Sequence, residues 1–345
     1  MSVISMMVHP ERNESLEVAA ALADYLEKSG NKVRLDEVGA SAVGRSELGC
    51  STENFAADAD LAVSIGGDGT MLRTFERVAQ AGVPVLGVNV GHLGYLTEFE
   101  ADEAQTAVDK ALRGDLPVEE RLMIQSRVQR FDGEIEGTWI GLNEAVVEKK
   151  SQGHTVRLEV TIDDSPFATY AGDGLIVSTP TGSTAYNLSA RGSIVAPTHW
   201  SLQLTPVAPH MLFDRSLVLR PDTEIRISVV GEREANLSID GRSVAALRDG
   251  DVMIATRSEI IARLVTSGSG GFQQVLKQKF GFGSAYLVFR NAEPVAAFKA
   301  NTRDKVIDVT DYEGSEKGWR IVKEFAWEHQ MPLKTELRIG GKRRK

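Results

Sequence analysis

The chain carries a single cysteine, Cys50, in 345 residues. No disulfide within the chain and no cysteine-built metal site can come from it. Long hydrophobic runs are also missing: none approaches the roughly 20 apolar residues that a membrane-spanning helix needs. The first residues lack the basic-then-apolar layout of a secretory signal. Positive charge is scarce, with 39 Lys and Arg against 48 Asp and Glu and a formal net charge of −9. That balance argues against a broad nucleic-acid or anionic-membrane surface, since both need a basic face. The basic cluster Lys342-Arg343-Arg344-Lys345 reads as a solvated chain end. The expectation is a cytoplasmic protein with neither nucleic acid nor membrane as partner. A small anionic substrate stays open, because backbone amides can hold phosphates without many lysines.

What is present is ordinary for a globular protein: 42% hydrophobic and 25% charged residues, on a length that can bury two cores. The first third alternates strand and helix patterns. Val3 to Val8, Val33 to Leu35, Leu61 to Ile65 and Val83 to Val88 read as strands. Val18, Leu22 and Leu26, with Ala19 and Ala23, make a helical stripe that Gly30 ends. A second helix is expected over Thr70 to Gln80, and a third, capped by Asp102 with Gln105, up to Gly114. This succession implies a Rossmann-like α/β domain with a mainly parallel sheet over 1–117.

From Leu116-Pro117 onward, period-two alternation takes over: Leu122, Ile124, Val128; Val156, Leu158, Val160, Ile162; Ile225, Ile227, Val229. Half-buried antiparallel strands alternate in this way. Asp240-Gly241 between two such runs marks a tight hairpin. A β-rich, β-sandwich-like domain is therefore expected over 118–265, with one helix after Thr181-Gly182-Ser183. Residues 266–284 are glycine-rich and then basic-apolar. The extension 285–345 has apolar runs at Tyr286 to Phe289 and Val306 to Val309 and a helical stripe from Ile321 to Trp327, and its role is unassigned.

The chemistry-bearing stretch is Gly66-Gly67-Asp68-Gly69-Thr70, placed directly after the apolar run Leu61 to Ile65. A strand that ends in glycines and opens into a helix lets backbone amides approach phosphate closely. In parallel sheets, ligands bind beyond the carboxyl ends of the strands, where this turn falls. Taken alone, the turn is open to either reading, phosphate cradle or tight loop. The six histidines show no metal-ligand spacing, and Asp163-Asp164 reads as a turn.

Four stretches in order go further: Gly66 to Thr70, Asn89-Val90-Gly91-His92-Leu93-Gly94-Tyr95-Leu96, Leu142-Asn143-Glu144, and Asp173 to Asn187. This set resembles the motifs of the bacterial NAD kinase family over roughly residues 1–284. The resemblance implies transfer of the terminal phosphoryl group of ATP, or of polyphosphate, to the 2′-hydroxyl of the adenosine ribose of NAD, making NADP. It assigns Asp68 to the catalytic role and Gly66, Gly67, Gly69 and Thr70 to the donor phosphates. Tyr95, Asn143, Glu144, Asp173, Thr181, Thr184, Ala185, Tyr186, Ser189 and Ala208 fall to NAD. The family fold pairs an α/β domain with a β-rich domain, and a final segment, here 266–284, returns to the first. Self-association as a homodimer or homotetramer is also implied. The turn has no Walker-type lysine, so a divalent cation, Mg²⁺, is expected to bridge the phosphates. In place of the family's Gly-Trp-Gly stands Gly281-Phe282-Gly283. A lipid kinase sharing the glycine turn and a non-catalytic NAD(P) sensor are the rival readings. Asn143-Glu144 and the Asp173 to Asn187 stretch disfavour the first, and the intact Asp68 disfavours the second.

Overall fold

A computed structural model describes residues 1–91, 94–151, 153–268, 271–280, 284–290, 293–303, 306–314, 320, 323, 333–334, 338–339 and 342–343. The chain divides into two compact units, Met1–Ser269 and Gly270–Lys345. The first opens with β1 (Val3–Val8), α1 (Asn13–Lys28), β2 (Lys32–Asp36), α2 (Glu37–Val43), β3 (Gly49–Cys50) and α3 (Thr52–Phe55). It continues with β4 (Leu61–Gly66), α4 (Asp68–Val78), β5 (Val85–Asn89), β6 (Phe99–Glu100) and α5 (Ala104–Arg113). Every residue of β4 is buried, as expected for a central parallel strand covered on both faces. On α1, Ala19, Leu22, Ala23 and Leu26 are buried at helical spacing, and Gly30 follows the helix at φ +79°.

The strands lie in the order β3-β2-β1-β4-β5, and all four pairings are parallel. The chain winds outward from β1 through β2 and β3, then crosses to β4 and β5 on the other side. The loops after β1 and β4 therefore part at their carboxyl ends, which is the switch point where such sheets form a crevice.

Two helix boundaries differ from the sequence expectation. α4 starts at Asp68, not Thr70, because Gly67 already serves as its extended N-cap; it ends at Val78 and a 3-10 turn over Ala79–Ala81 follows. The capping box belongs to Glu100 and Glu103 rather than to Asp102 and Gln105: the Glu100 N–H donates to Glu103 Oε2 at 3.1 Å. A 3-10 turn over Ala101–Glu103 intervenes before α5, which moves the cap two residues upstream.

The β-rich part holds β7 (Val118–Gln129), β8 (Ile135–Gly141), β9 (Glu144–Lys149), β10 (Val156–Ile162), β11 (Ser165–Gly172) and β12 (Gly174–Ser178). After α6 (Tyr186–Ser189) come β13 (Leu202–Val207), β14 (Leu217–Leu219), β15 (Ile225–Val229), β16 (Ala235–Ile239), β17 (Arg242–Leu247) and β18 (Val252–Val265). One antiparallel sheet runs β14-β13-β12-β9-β16-β17. It faces β7, β10, β15 and β18 across a core that includes Leu122, Leu158, Val177, Ile227, Leu237 and Met253. This is a β-sandwich. The helix expected after Ser183 is reduced to a 3-10 turn over Thr181–Thr184 and the single turn of α6.

β18 joins the two halves. It pairs antiparallel with β15 and β7, and its last residues then pair parallel with β5, Leu264 with Val85 and Val265 with Leu86. Just beyond, the Thr266 N–H donates to the Pro117 carbonyl, and Ser267 donates to Glu98 through its N–H and its hydroxyl.

The second unit contains α7 (Gly271–Lys279) and the antiparallel strands β19 (Ser284–Arg290), β20 (Glu293–Arg303) and β21 (Val306–Gly314). Tyr286 to Phe289 and Val306 to Val309 fall in β19 and β21. The Gly281-Phe282-Gly283 stretch and, apart from Lys323, the stripe from Ile321 to Trp327 lie outside the described residues. No helix among the described residues is long and apolar enough to cross a membrane.

Because β18 belongs to both halves, a cavity cut into it is felt in both. Leu264 is 1% exposed, and Leu264→Ala is expected to destabilise the first unit by about 2–5 kcal/mol. Hydrogen exchange should then accelerate together in β4 and β10. Faster exchange confined to β4 would show that the halves unfold independently.

Candidate active site

The glycine turn occupies the crevice at the switch point. Gly66 ends β4, and a Cβ on it would lie 2.5 Å from Thr70 Oγ1 and 3.3 Å from the His9 Cβ, so a side chain has no room there. Asp68 is the first residue of α4. Its carboxylate is not left free: Tyr95 N–H donates to Oδ1 at 3.0 Å and Oδ2 at 2.9 Å, and Leu96 N–H donates to Oδ1 at 3.0 Å. The loop can wrap this closely because position 94 is glycine; any Cβ there would collide with Asp68 Oδ1 and Thr97 Oγ1. The Tyr95 ring is half-buried, and burial together with the Asp68 charge pushes its hydroxyl pKa up.

The opposite wall forms around Asn143 and Glu144 at the start of β9, which are 9% and 6% exposed. Their backbone is held by Asp240, at the tip of the β16–β17 hairpin. Asp240 Oδ2 accepts from the Leu142 N–H at 2.7 Å, and Oδ1 accepts from Asn143 at 2.8 Å and Glu144 at 3.1 Å. Asp240 and Gly241 sit at φ +47° and +78°, the left-handed pair of a two-residue hairpin turn. The sequence signal for that hairpin is plain, but nothing local announces the carboxylate's second task, because its partners lie 96 to 98 residues away.

The Asp173 to Asn187 stretch meets the same wall. The Thr179 N–H donates to the Asn143 carbonyl at 2.8 Å, and the Thr179 hydroxyl donates to the Leu142 carbonyl at 2.5 Å. Gly182 must lack a side chain, because a Cβ would run into the Asn143 carbonyl. Thr181 is buried, Thr184 and Ala185 are half-buried, and Tyr186 and Ser189 on α6 are exposed. Asn187 is buried and takes no exposed role; its Oδ1 accepts from the Thr205 hydroxyl at 2.6 Å.

Asp173 stands at the far end of β12 from Thr179, so five strand residues separate them. There its Oδ1 pairs with Lys149 Nζ at 2.6 Å, and its N–H donates to the Val207 carbonyl beside Ala208, which is itself strained at φ +45°. Tyr186 connects the two ends electrostatically. Its hydroxyl pKa is raised by burial first and then by the Glu148, Asp173 and Glu144 charges.

Between α4 and the β16–β17 hairpin lies a cleft of about 230 Å³, lined on one side by Gly69, Leu72 and Arg73 of α4 and on the other by Ile239, Asp240 and Arg242; of the sequence-predicted site residues only Gly69 lines it. Arg242 reaches across to Glu76 at 2.7 Å. Among the described residues no hydrogen bond joins Asp68 to Asn143 or Glu144. Thr70 Oγ1, Glu144 Oε2 and Thr181 Oγ1 are buried with no hydrogen-bond partner. Buried polar atoms are normally satisfied, so three orphans on these motifs suit a polar ligand.

A parallel α/β sheet with a glycine–aspartate turn at its switch point, joined to a β-sandwich, defines a two-part nucleotide-handling fold. Residues 4–116 match the family model of the ATP-NAD kinase N-terminal domain, and residues 142–267 match that of the ATP-NAD kinase C-terminal domain. A protein named NAD kinase from Moorella thermoacetica is 41% identical over 286 residues, covering 83% of this chain and 91% of that protein. One from Symbiobacterium thermophilum is 39% identical over 280 residues, covering 81% and 99%. The chain belongs to the ATP-NAD kinase family. Its fold is similar to that of yeast NADH kinase complexed with NADH, with a TM-score of 0.77 at 23% identity, covering 84% of this chain and 90% of that one. An NAD kinase from Archaeoglobus fulgidus in complex with ATP gives a TM-score of 0.62 at 22% identity, covering 81% and 98%.

Burial and the adjacent Asp240 charge push the Glu144 carboxyl up to about 8. A carboxyl raised in the folded state holds a proton that the unfolded chain has released, so stability falls as pH rises from about 4.5 to 8. Glu144→Gln mimics the protonated side chain and removes that slope. Thermal unfolding of the variant should gain on the wild type steadily across this window, by up to about 4 kcal/mol at its upper end. Parallel pH profiles would place the Glu144 proton equilibrium elsewhere.

Proposed function

We propose that the protein transfers the terminal phosphoryl group of ATP to the 2′-hydroxyl of the adenosine ribose of NAD, giving NADP. Family membership supports the reaction class. The observation that carries the local reading is Asp68: an acceptor carboxylate held rigidly by two backbone amides at the switch point, at the start of α4. In this reading the ribose 2′-oxygen attacks the γ-phosphorus while the bond from that phosphorus to the β–γ bridging oxygen breaks. Asp68 accepts a hydrogen bond from the 2′-hydroxyl, orients its oxygen toward the phosphorus and takes the proton as transfer proceeds. Orientation is the larger contribution, because the phosphoryl group passes through a loose transition state with little need of an early base.

Gly66, Gly67, Gly69 and Thr70 hold the donor phosphates, through backbone amides at the start of α4 and the Thr70 hydroxyl. Asn143 holds the adenosine end of NAD, and Glu144, protonated near neutral pH, can donate a hydrogen bond to the ribose. Tyr95 packs on the adenine. Thr181, Thr184, Ala185, Tyr186 and Ser189 line the dinucleotide, and Asp173 and Ala208 receive its nicotinamide half. Asp173 lies a full strand away from Glu144. A homodimer or homotetramer in which a neighbouring subunit supplies that half is consistent with this spacing.

Among the described residues no group of three or more His, Cys, Asp or Glu could cage a metal ion. A divalent cation, Mg²⁺ in this reading, would be held by the donor phosphates and supply charge neutralisation there. Polyphosphate is the alternative donor, since the cradle recognises phosphate and not base.

Asp68→Asn keeps one acceptor oxygen for the loop amides but cannot take the proton. NAD affinity, measured by calorimetry, is expected to stay within a few-fold. NADP formation should drop by about 10²- to 10⁴-fold. Equal losses of binding and turnover would make Asp68 a structural residue, and absence of NADP formation by the wild type with ATP or polyphosphate would overturn the reading.

A further inference from the structure

A phosphoryl donor brings several negative charges to a turn, Gly66 to Thr70, that has no basic side chain. The fold delivers one from a different loop. Arg12 closes the loop after β1 and is the residue from which α1 starts. Ser, Thr, Asp or Asn at that position would accept from the first helical amides, and arginine cannot. Its guanidinium turns to the Val90 carbonyl instead, at 2.7 Å. Val90 is itself tied to the glycine turn, its N–H donating to the Gly66 carbonyl at 3.0 Å. The His9 N–H likewise donates to the Ile65 carbonyl at 3.0 Å. Arg12 is thus held over the carboxyl ends of β4 and β5, beside the cradle. Gly91 keeps the place open, since a Cβ there would lie 2.8 Å from Arg12 Nη1.

Three further features converge on the same spot. Neither α1 nor α4 has a side-chain cap on its amino end. The Thr70 hydroxyl, 2% exposed and without a partner, points into the space left by the missing Gly66 side chain. His9 bounds that space from the β1 side. Arg12 itself is exposed, and Nη1 is its one donor engaged among the described residues, which leaves the rest of its five-donor fork facing outward.

We propose that Arg12 is a donor-binding residue: its guanidinium clasps the phosphate chain of the donor while the Val90 carbonyl holds it in place. This rests on the phosphoryl-transfer reading above. Guanidinium suits the role because its planar fork matches two phosphate oxygens at once and its charge does not titrate. The competing role is a clamp that merely pins the loop at Val90. The two roles separate cleanly, because that loop continues to Tyr95 and a lost clamp would disturb NAD as much as the donor.

The test uses the full chain with Arg12→Lys and Arg12→Gln, folding being checked by near-ultraviolet circular dichroism. NADP formation is followed with ATP, polyphosphate and NAD varied in turn, and binding of ATP with Mg²⁺ is titrated by calorimetry. Arg12→Gln is expected to raise KM for ATP and for polyphosphate by about 10- to 100-fold, the loss typical of a charged hydrogen bond, and to leave KM for NAD within twofold. Arg12→Lys should recover part of the loss, since it keeps the charge without the fork. An unchanged donor KM in a folded variant, or equal rises for donor and NAD, overturns the proposal and leaves the kinase reading standing. If the wild type makes no NADP, that reading fails and calorimetry alone decides on Arg12. Weaker ATP binding by Arg12→Gln then supports the contact, and equal binding or none overturns it.

Discussion

The Asp68 carboxylate, accepting the Tyr95 and Leu96 amides, is the contact on which the rest of the site depends. Those two amides tie residues 95 and 96 to the start of α4 and fix the carboxylate's own direction. The geometry is possible only because Gly94 has no side chain and Gly66 leaves the turn open on the other side. In the proposed reaction the acceptor needs such rigidity, since an oriented oxygen lowers the barrier more than a mobile one. The segment after β5 is thereby tied at both ends to the strand-end cluster: Val90 to Gly66 and Arg12 at its start, Tyr95 and Leu96 to Asp68 at its finish.

The opposite wall repeats the device. Asp240 gathers three backbone amides from a segment about a hundred residues away, as Asp68 gathers two from a loop 27 and 28 residues on. In both cases a short acidic side chain replaces secondary structure as the means of ordering a loop, which leaves that loop's outer face available. Glu144 differs from both. It is buried without a hydrogen-bond donor on Oε2, and burial, followed by the Asp240 charge, raises its pKa. Burial raises the Asp240 carboxyl too, although its three backbone amides pull the other way. The Arg242–Glu76 pair across the cleft adds little to this order, because both partners are well exposed and surface ion pairs are weak.

Local chemistry made much of this visible in the sequence. The buried run of β4, the stripe on α1, the change of period at Leu116-Pro117 and the Asp240-Gly241 turn all depend on neighbours within a few residues, so pattern finds them. What pattern missed depends on residues far apart. The continuation of β18 into the parallel sheet pairs Leu264 with Val85, and no alternation within either strand reveals that pairing. The same holds for Asp240 as an amide collector, which read in sequence only as a turn residue, and for Arg12, whose place beside the glycine turn is set by the Val90 carbonyl 78 residues on. The helix after Ser183 failed for a different reason. It stops after one turn, where Arg191 takes the left-handed conformation at φ +65° and the Gly192 N–H closes on the Asn187 carbonyl.

Electrostatics then explains how a chain of net charge −9 can present a crevice to anions. The acidic side chains of the two walls are largely accounted for before any ligand arrives: Asp68 and Asp240 face backbone amides, and burial pushes the Glu144 pKa up to about 8. Each arrangement withdraws negative potential from the space between the walls. Helix amino ends and oriented amides add fixed positive potential without a formal charge. In the proposed reading a single guanidinium at Arg12 acts in a field already prepared for it, and the turn itself needs no lysine.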